Sequence, residues 1–216
     1  MQNSLFDTQH NGEQIQLDGA SLSYFPNFYS QEKADALFQY LQQQVPWRQE
    51  QIRIAGIPRL QPRLSAWFGD DAAKYTYSGL HLSPLPWMPA LLEIKQDIER
   101  KIANDIAIQN SQHFNSVLLN YYRDQHDSMG WHSDDETELG PQPMIASLSL
   151  GGSRVFALKH RHHHNLRYKI PLANGSLLMM WGDTQSHWLH AIAKEAQPCT
   201  ARINLTFRQI LPLIIL

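Results

Sequence analysis

Apolar positions recur along this chain with two different periods. From Ser30, "SQEKADALFQYLQQQ" sets Ala34, Leu37, Phe38 and Leu41 at helical spacing, and Ser30 is placed to cap the helix. A second helix starts near Pro89, where Leu91, Ile94, Ile98 and Ile102 form one stripe. Neither stripe carries polar chemistry, so both are read as packing helices. Further on, "SVLLNYYR", "PMIASLSL", "SRVFALKH", "SLLMMW" and "ARINLTFR" are short strand-like runs between Gly, Pro, Asn and Asp. Most connections are short, which favours antiparallel pairing. Helices first and strands later predict an α+β, mainly β class, with helices packed on one face of a rolled or sandwiched sheet.

Residues 1–20 are polar and read as an N-terminal arm. Residues 21–216 carry no repeat and no dividing linker, so they read as a single domain. The one biased segment, "KHRHHHNLRYK", reads as a loop between strands. A formal net charge of −2 argues against a strongly charge-driven binder, although a local basic groove remains compatible with it. Cys199 is the single cysteine, so no intrachain disulfide forms. The N-terminus lacks the basic and apolar regions of a secretory signal, and no apolar run reaches membrane-spanning length. The expectation is a cytoplasmic protein, monomeric and without a membrane partner.

Chemistry gathers in "GWHSDDETELG". His132 and Asp134 form an H-x-D pair, and alternation points both to one side of a strand. A catalytic metal needs a third ligand, and "WGDTQSHWLHAI" offers His187 and His190. Two histidines and a carboxylate suit non-haem Fe(II) with open positions, and zinc is the rival. The helical zinc-protease pattern H-E-x-x-H is absent. His126, His160 and His162–His164 read as solvated loop histidines. In "ARINLTFR", Arg202, Asn204, Thr206 and Arg208 share one face, and Ile203, Leu205 and Phe207 share the other. Asn120 and Tyr122 likewise share a face. Inward arginines need anionic partners: either structural Asp or Glu, or a bound dicarboxylate. A small diacid that also chelates iron, 2-oxoglutarate, fits the whole set.

"NYYRDQHDSMGWHSDDE", "GSLLMMWGDTQSHWLHAI" and "RINLTFR" together resemble the AlkB family of Fe(II)/2-oxoglutarate-dependent dioxygenases, most nearly the branch that repairs alkylated bases in duplex DNA. The resemblance extends upstream through "PRLSAWFGD" and "YTYSGLHLSPLPW", to about residue 58. It implies a double-stranded β-helix (jelly roll) at about 115–210 and a nucleotide-recognition lid at about 45–85. It implies His132, Asp134 and His190 as iron ligands, with 2-oxoglutarate and O₂ as co-substrates. Arg202, helped by Asn120 and Tyr122, would meet the distal carboxylate. Arg208, beside Asn204, would meet the carboxylate next to the keto group. The implied reaction demethylates 1-methyladenine or 3-methylcytosine in DNA and releases formaldehyde, CO₂ and succinate. Tyr77 would stack on a flipped base, Tyr75 would reach the base or backbone, and Glu136 would accept from an exocyclic amine. "RIAGIPRLQPR" is a candidate stack-filling hairpin with Ile54 near its tip. Arg59, Arg63 and the segment Lys159–Arg167 are candidate phosphate contacts. The alternatives are the same chemistry on RNA, or a non-catalytic metal-binding jelly roll that binds nucleic acid.

Overall fold

The computed structural model describes residues 12–54, 57–73, 75–77, 80–104 and 113–211. The side chains of 53–54, 75–77 and 80–82 lie outside that description. The chain begins with β1 (Glu13–Leu17), β2 (Ala20–Phe25) and α1 (Gln31–Gln44). Then come β3 (Gln51–Ile54), β4 (Ile57–Leu60), β5 (Leu64–Gly69), β6 (Tyr75–Tyr77), β7 (Leu80–Leu82) and α2 (Pro89–Ala103). The remainder is β8 (Ser116–Tyr122), β9 (Met129–His132), β10 (Ile145–Gly151), β11 (Arg154–His160), β12 (Arg167–Leu172), β13 (Ser176–Trp181), α3 (Thr184–His187), β14 (Trp188–Ile192) and β15 (Arg202–Arg208).

The last eight strands, joined by β1, β2 and β5, form two facing sheets. The major sheet has the order β1-β2-β13-β10-β15-β8-β5, and the minor sheet β12-β11-β14-β9. The chain passes repeatedly between them, which is the double-stranded β-helix. Side-chain alternation explains why both faces of the major sheet are covered. Leu177 and Met179 of β13, Leu148 of β10, and Ile203, Leu205 and Phe207 of β15 point outward into one apolar core. Leu178, Met180 and Ile145 point inward, against Phe156, Leu158 and Ile192 of the minor sheet. The outward core is closed by the two helices. Leu91, Ile94, Ile98 and Ile102 of α2 are all buried there, with Ala34 and Leu41 of α1. Each such aliphatic side chain contributes about 1.5–3 kcal/mol of burial. Ser30 caps α1, its Oγ accepting from Lys33 N at 3.3 Å, and Pro89 opens α2. No described helix is long and apolar enough to cross a membrane.

Part of the expected polar arm is strand, and residues 1–11 of it lie outside the described residues. Glu13–Leu17 pair antiparallel with Ala20–Phe25 and form the edge of the major sheet. Only Ile15 of β1 is buried, so its sequence carries almost no inward signal. Region 45–85 holds two hairpins, β3–β4 and β6–β7, flanking β5, which joins the major sheet through β8.

One polar junction ties the segment before α1 to α2. Tyr29 N donates to the Gly175 carbonyl, and a Cβ on Gly175 (φ 76°) would come within 2.7 Å of the Tyr29 carbonyl oxygen. Asp97 then accepts from Tyr29 Oη at 2.7 Å, from Lys33 Nζ at 2.9 Å and from Arg100 Nη2. Burial pushes the Asp97 carboxyl up, but Lys33, Tyr29 and Arg100 outweigh it and hold it below its usual value. Its contribution is therefore complete above the unfolded carboxylate value and is lost as pH falls through the lowered one. The stability gap between wild type and Asp97→Asn, read from urea midpoints, is expected to be largest near about pH 7 and to shrink toward about pH 3.

Candidate active site

The H-x-D pair meets its third partner between the sheets. β9 and β14 pair antiparallel, with His132 directly opposite His190. Candidate ligand atoms of His132, Asp134 and His190 all lie within 4.8 Å of one another. The two imidazole rings meet edge to face, 4.2 Å between centroids. His187 closes α3, one residue before β14, and lies outside the cluster. Alternation along β14 explains the choice: Trp188, His190 and Ile192 are buried on one side.

Surrounding groups hold each member in a ligating form. His132 Nδ1–H donates to the Gly130 carbonyl at 2.9 Å, which leaves the Nε2 lone pair available. Asp134 N donates to Oε1 of buried Gln185 at 3.0 Å. Asp134 Oδ2 pairs with Arg208 Nη2 at 2.8 Å. Burial pushes the Asp134 carboxyl up, but Arg208, His190 and His132 outweigh it and hold it at about 2. Burial pushes His190 down to about 3, so its imidazole is neutral at physiological pH. A carboxylate and two imidazoles on one face are the donor set of a 2-His-1-carboxylate iron site. Among the described residues no other group of three His, Cys, Asp or Glu converges in this way.

The other end of the cavity is cationic. Arg202, Asn204 and Thr206 of β15 project inward and are buried, as the alternation predicted. Arg202 is 1% exposed; its Nη2 donates to Ser149 Oγ at 2.9 Å, and the guanidinium also bonds the Tyr122 side chain. Its Nε and Nη1 have no partner. Burial pushes this guanidinium down to about 10. A buried cation without an anion is costly, so this end of the cavity suits a carboxylate. Asn204 donates to Ser147 Oγ at 2.8 Å and to the Leu148 carbonyl at 3.1 Å, while Asn120 and Tyr122 line the same cavity. The free space between these side chains is small, about 40 Å³. Met129, Phe156, Met180 and Ile192 form its apolar wall.

Three expected contacts look different in place. Arg208 is the arginine with a structural acid, Asp134, although its buried Nε remains unpartnered. Arg63, expected at a phosphate, is buried instead, and its Nε donates to Asn120 Oδ1 at 2.7 Å. His160, expected in a solvated loop, ends β11 and is buried. Its Nδ1 accepts from His162 N and His163 N and so closes the turn, while His162–His164 and His126 are exposed. Glu136 begins the 3-10 turn Thr137–Leu139, two residues beyond Asp134, and is half-buried. Asp135 pairs with Arg161 at 2.6 Å. Arg59 is exposed on β4. Tyr75 and Tyr77 belong to β6 and Ile54 to β3, but their side chains lie outside the described structure.

Sequence reasoning missed Gln185 and Arg154. Gln185 sits in the four-residue α3, too short to show a period. Arg154 had a visible signal, since it alternates with the inward Phe156 and Leu158.

Comparison with known proteins agrees with this site. A family model described as the 2OG-Fe(II) oxygenase superfamily matches residues 21–208. The "Alpha-ketoglutarate-dependent dioxygenase alkB homolog 3" of Rattus norvegicus is 41% identical over 198 residues, covering 87% of this chain and 63% of that protein. The chain thus spans a little under two thirds of that relative's length. The "DNA oxidative demethylase ALKBH2" of Homo sapiens is 37% identical over 207 residues, covering 91% of this chain and 76% of that protein. A solved structure titled "The structure of OsALKBH1" shares the fold, with a TM-score of 0.64 at 19% identity, covering 91% of this chain and all of that one.

Proposed function

Because this chain belongs to the 2OG-Fe(II) oxygenase superfamily, we propose that it oxidatively demethylates N-alkylated bases, 1-methyladenine and 3-methylcytosine, in DNA. One observation carries the proposal. A triad of two histidines and an ionised Asp and, among the described residues, a buried guanidinium without a carboxylate face one cavity. A molecule that satisfies both ends is a 2-oxo acid with a second carboxylate. The name borne by the human relative, DNA oxidative demethylase, supports nucleic acid as the substrate.

His132, Asp134 and His190 would hold Fe(II). When bound, the metal supplies oxidation by O₂ coupled to decarboxylation of 2-oxoglutarate to succinate. The remaining work is that of the chain. Arg202 binds the distal carboxylate, with Ser149 and Tyr122 beside it. Arg208, next to Asn204, binds the carboxylate beside the keto group while keeping Asp134 ionised. Met129, Phe156, Met180 and Ile192 exclude water. His132 is the solvent-facing member of the triad, with 31% of its side chain exposed, so substrate approaches from that side. The target base must leave the stack to reach it. Tyr77 stacks on the extruded base, Tyr75 touches the base or backbone, and Glu136 accepts from the exocyclic amine of adenine or cytosine. Hydroxylation of the N-methyl carbon gives a hemiaminal, which loses formaldehyde and restores the base.

The test is incubation of iron-loaded protein with 2-oxoglutarate, O₂ and oligonucleotides carrying one 1-methyladenine or 3-methylcytosine. Single-stranded DNA, duplex DNA and RNA are compared. Restored base and formaldehyde from DNA are expected. Faster turnover of RNA would reassign the substrate, and no restored base from any of the three would overturn the proposal.

A further inference from the structure

Arg154 and Arg202 are the two largest side chains with essentially no solvent exposure. They share one ring: Arg154 Cζ lies 5.6 Å and Arg202 Cζ 5.3 Å from the Tyr122 centroid. Arg154 does not line the cavity itself. Its Nη1 donates to the Asp124 carbonyl at 3.4 Å, and its Nη2 donates to the carbonyls of Asp127, at 3.0 Å, and Ala193. Those carbonyls belong to the β8–β9 connection and to the segment after β14. Arg154 therefore clasps the two stretches that follow Tyr122 and His190. Among the described residues its ion pair is with Glu195, 3.4 Å from Nε and with 37% of its side chain exposed. The nearby Asp127 carboxylate is engaged by Arg123 through backbone N, Nε and Nη2. Arg123 and Arg154 thus have the carboxylates of Asp124, Asp127 and Glu195 around them, whereas Arg202, across the Tyr122 ring, faces the cavity with no carboxylate beside it among the described residues.

We propose that Arg154 is a positioning residue that makes the closed end of the cavity selective for a dicarboxylate 2-oxo acid. It holds the Tyr122 ring beside Arg202 and adds positive potential where the surroundings are poorly polarisable. A 2-oxo acid with a second carboxylate meets that potential at Arg202, whereas a monocarboxylate leaves Arg202 uncompensated. The inference rests on the co-substrate assignment above and adds a residue outside the cavity wall.

The test is calorimetric titration of anaerobic, iron-loaded protein with 2-oxoglutarate and with 2-oxobutyrate, which lacks the distal carboxylate. The readout is the ratio of the two affinities, because a merely structural role weakens both alike. Arg154→Met is expected to lower the preference for 2-oxoglutarate roughly tenfold, within the usual range for coupled groups. Glu195→Gln, at a partly exposed site, removes the compensating charge and is expected to raise the preference about two- to fivefold. If Arg154→Met does not fold, Glu195→Gln decides alone. An unchanged ratio in the folded variants overturns the role of Arg154 and leaves the co-substrate assignment standing. A wild type that binds 2-oxoglutarate no better than 2-oxobutyrate overturns that assignment, and the inference with it.

Discussion

Asp134→Ala is expected to abolish iron retention and turnover while the β-helix stays folded. Asp134 is the carboxylate of the triad, and two histidines alone hold a catalytic metal poorly. Loss of a mere outer partner of a metal ligand typically costs about 10–100-fold in affinity or activity, so loss of the ligand itself should exceed that. The substitution also strands Arg208, whose Nη2 loses its partner at 2.8 Å. Breaking a buried pair costs about 3–5 kcal/mol, and the cost here falls toward the lower end because 17% of the Arg208 side chain is exposed. Asp134→Asn separates the two effects. It keeps the shape and one acceptor oxygen for Arg208 but loses the charge that the metal needs. Bound iron per protein and formaldehyde per minute are the measurements. Full turnover in Asp134→Ala would remove Asp134 from the triad.

Arg202→Met is expected to move stability and co-substrate affinity in opposite directions. In the protein alone, the guanidinium is buried, bonds only neutral side chains, Ser149 and Tyr122, and has no carboxylate beside it among the described residues. Replacing a buried ion by an apolar side chain of similar size is often neutral or stabilising, by up to about 1–4 kcal/mol. The ligand-free variant should therefore melt at or above the wild-type temperature. Affinity for 2-oxoglutarate should fall roughly a hundredfold, as expected when one side of a buried, hydrogen-bonded charge pair is removed. Thermal melts with and without 2-oxoglutarate measure both quantities. A ligand-free variant that is markedly less stable, with affinity unchanged, would make Arg202 a structural residue.

The inward polar face of β15 was readable because a strand alternates strictly. Once Ile203, Leu205 and Phe207 pack outward under the helices, Arg202, Asn204 and Thr206 have nowhere to go but the cavity. The helices were equally legible, since Leu91, Ile94, Ile98 and Ile102 make one stripe and all four are buried. The edge strand β1 was not legible, because a strand with one buried residue reads like a polar tail. Nor was it legible where β14 begins, and so which of His187 and His190 alternation turns inward. The difference lies in α3, four residues long, which carries His187 out of the strand. Arg63 shows a further limit: composition made it a surface cation, and the fold made it a buried donor to Asn120. Arg154 was overlooked for the opposite reason. Its place on the inward face of an otherwise apolar strand marked it, but a single charge invited no partner until Tyr122 and Arg202 came beside it.

The central claim is that one cavity couples an iron triad to a dicarboxylate anchor and to a methylated base. The most direct measurement is product stoichiometry from iron-loaded protein mixed with limiting 2-oxoglutarate, O₂ and a DNA oligonucleotide carrying one 1-methyladenine. Succinate, formaldehyde and restored adenine are expected in equal amounts, with none formed when O₂ or 2-oxoglutarate is withheld. Restored adenine without succinate, or neither product from iron-loaded protein, would contradict it.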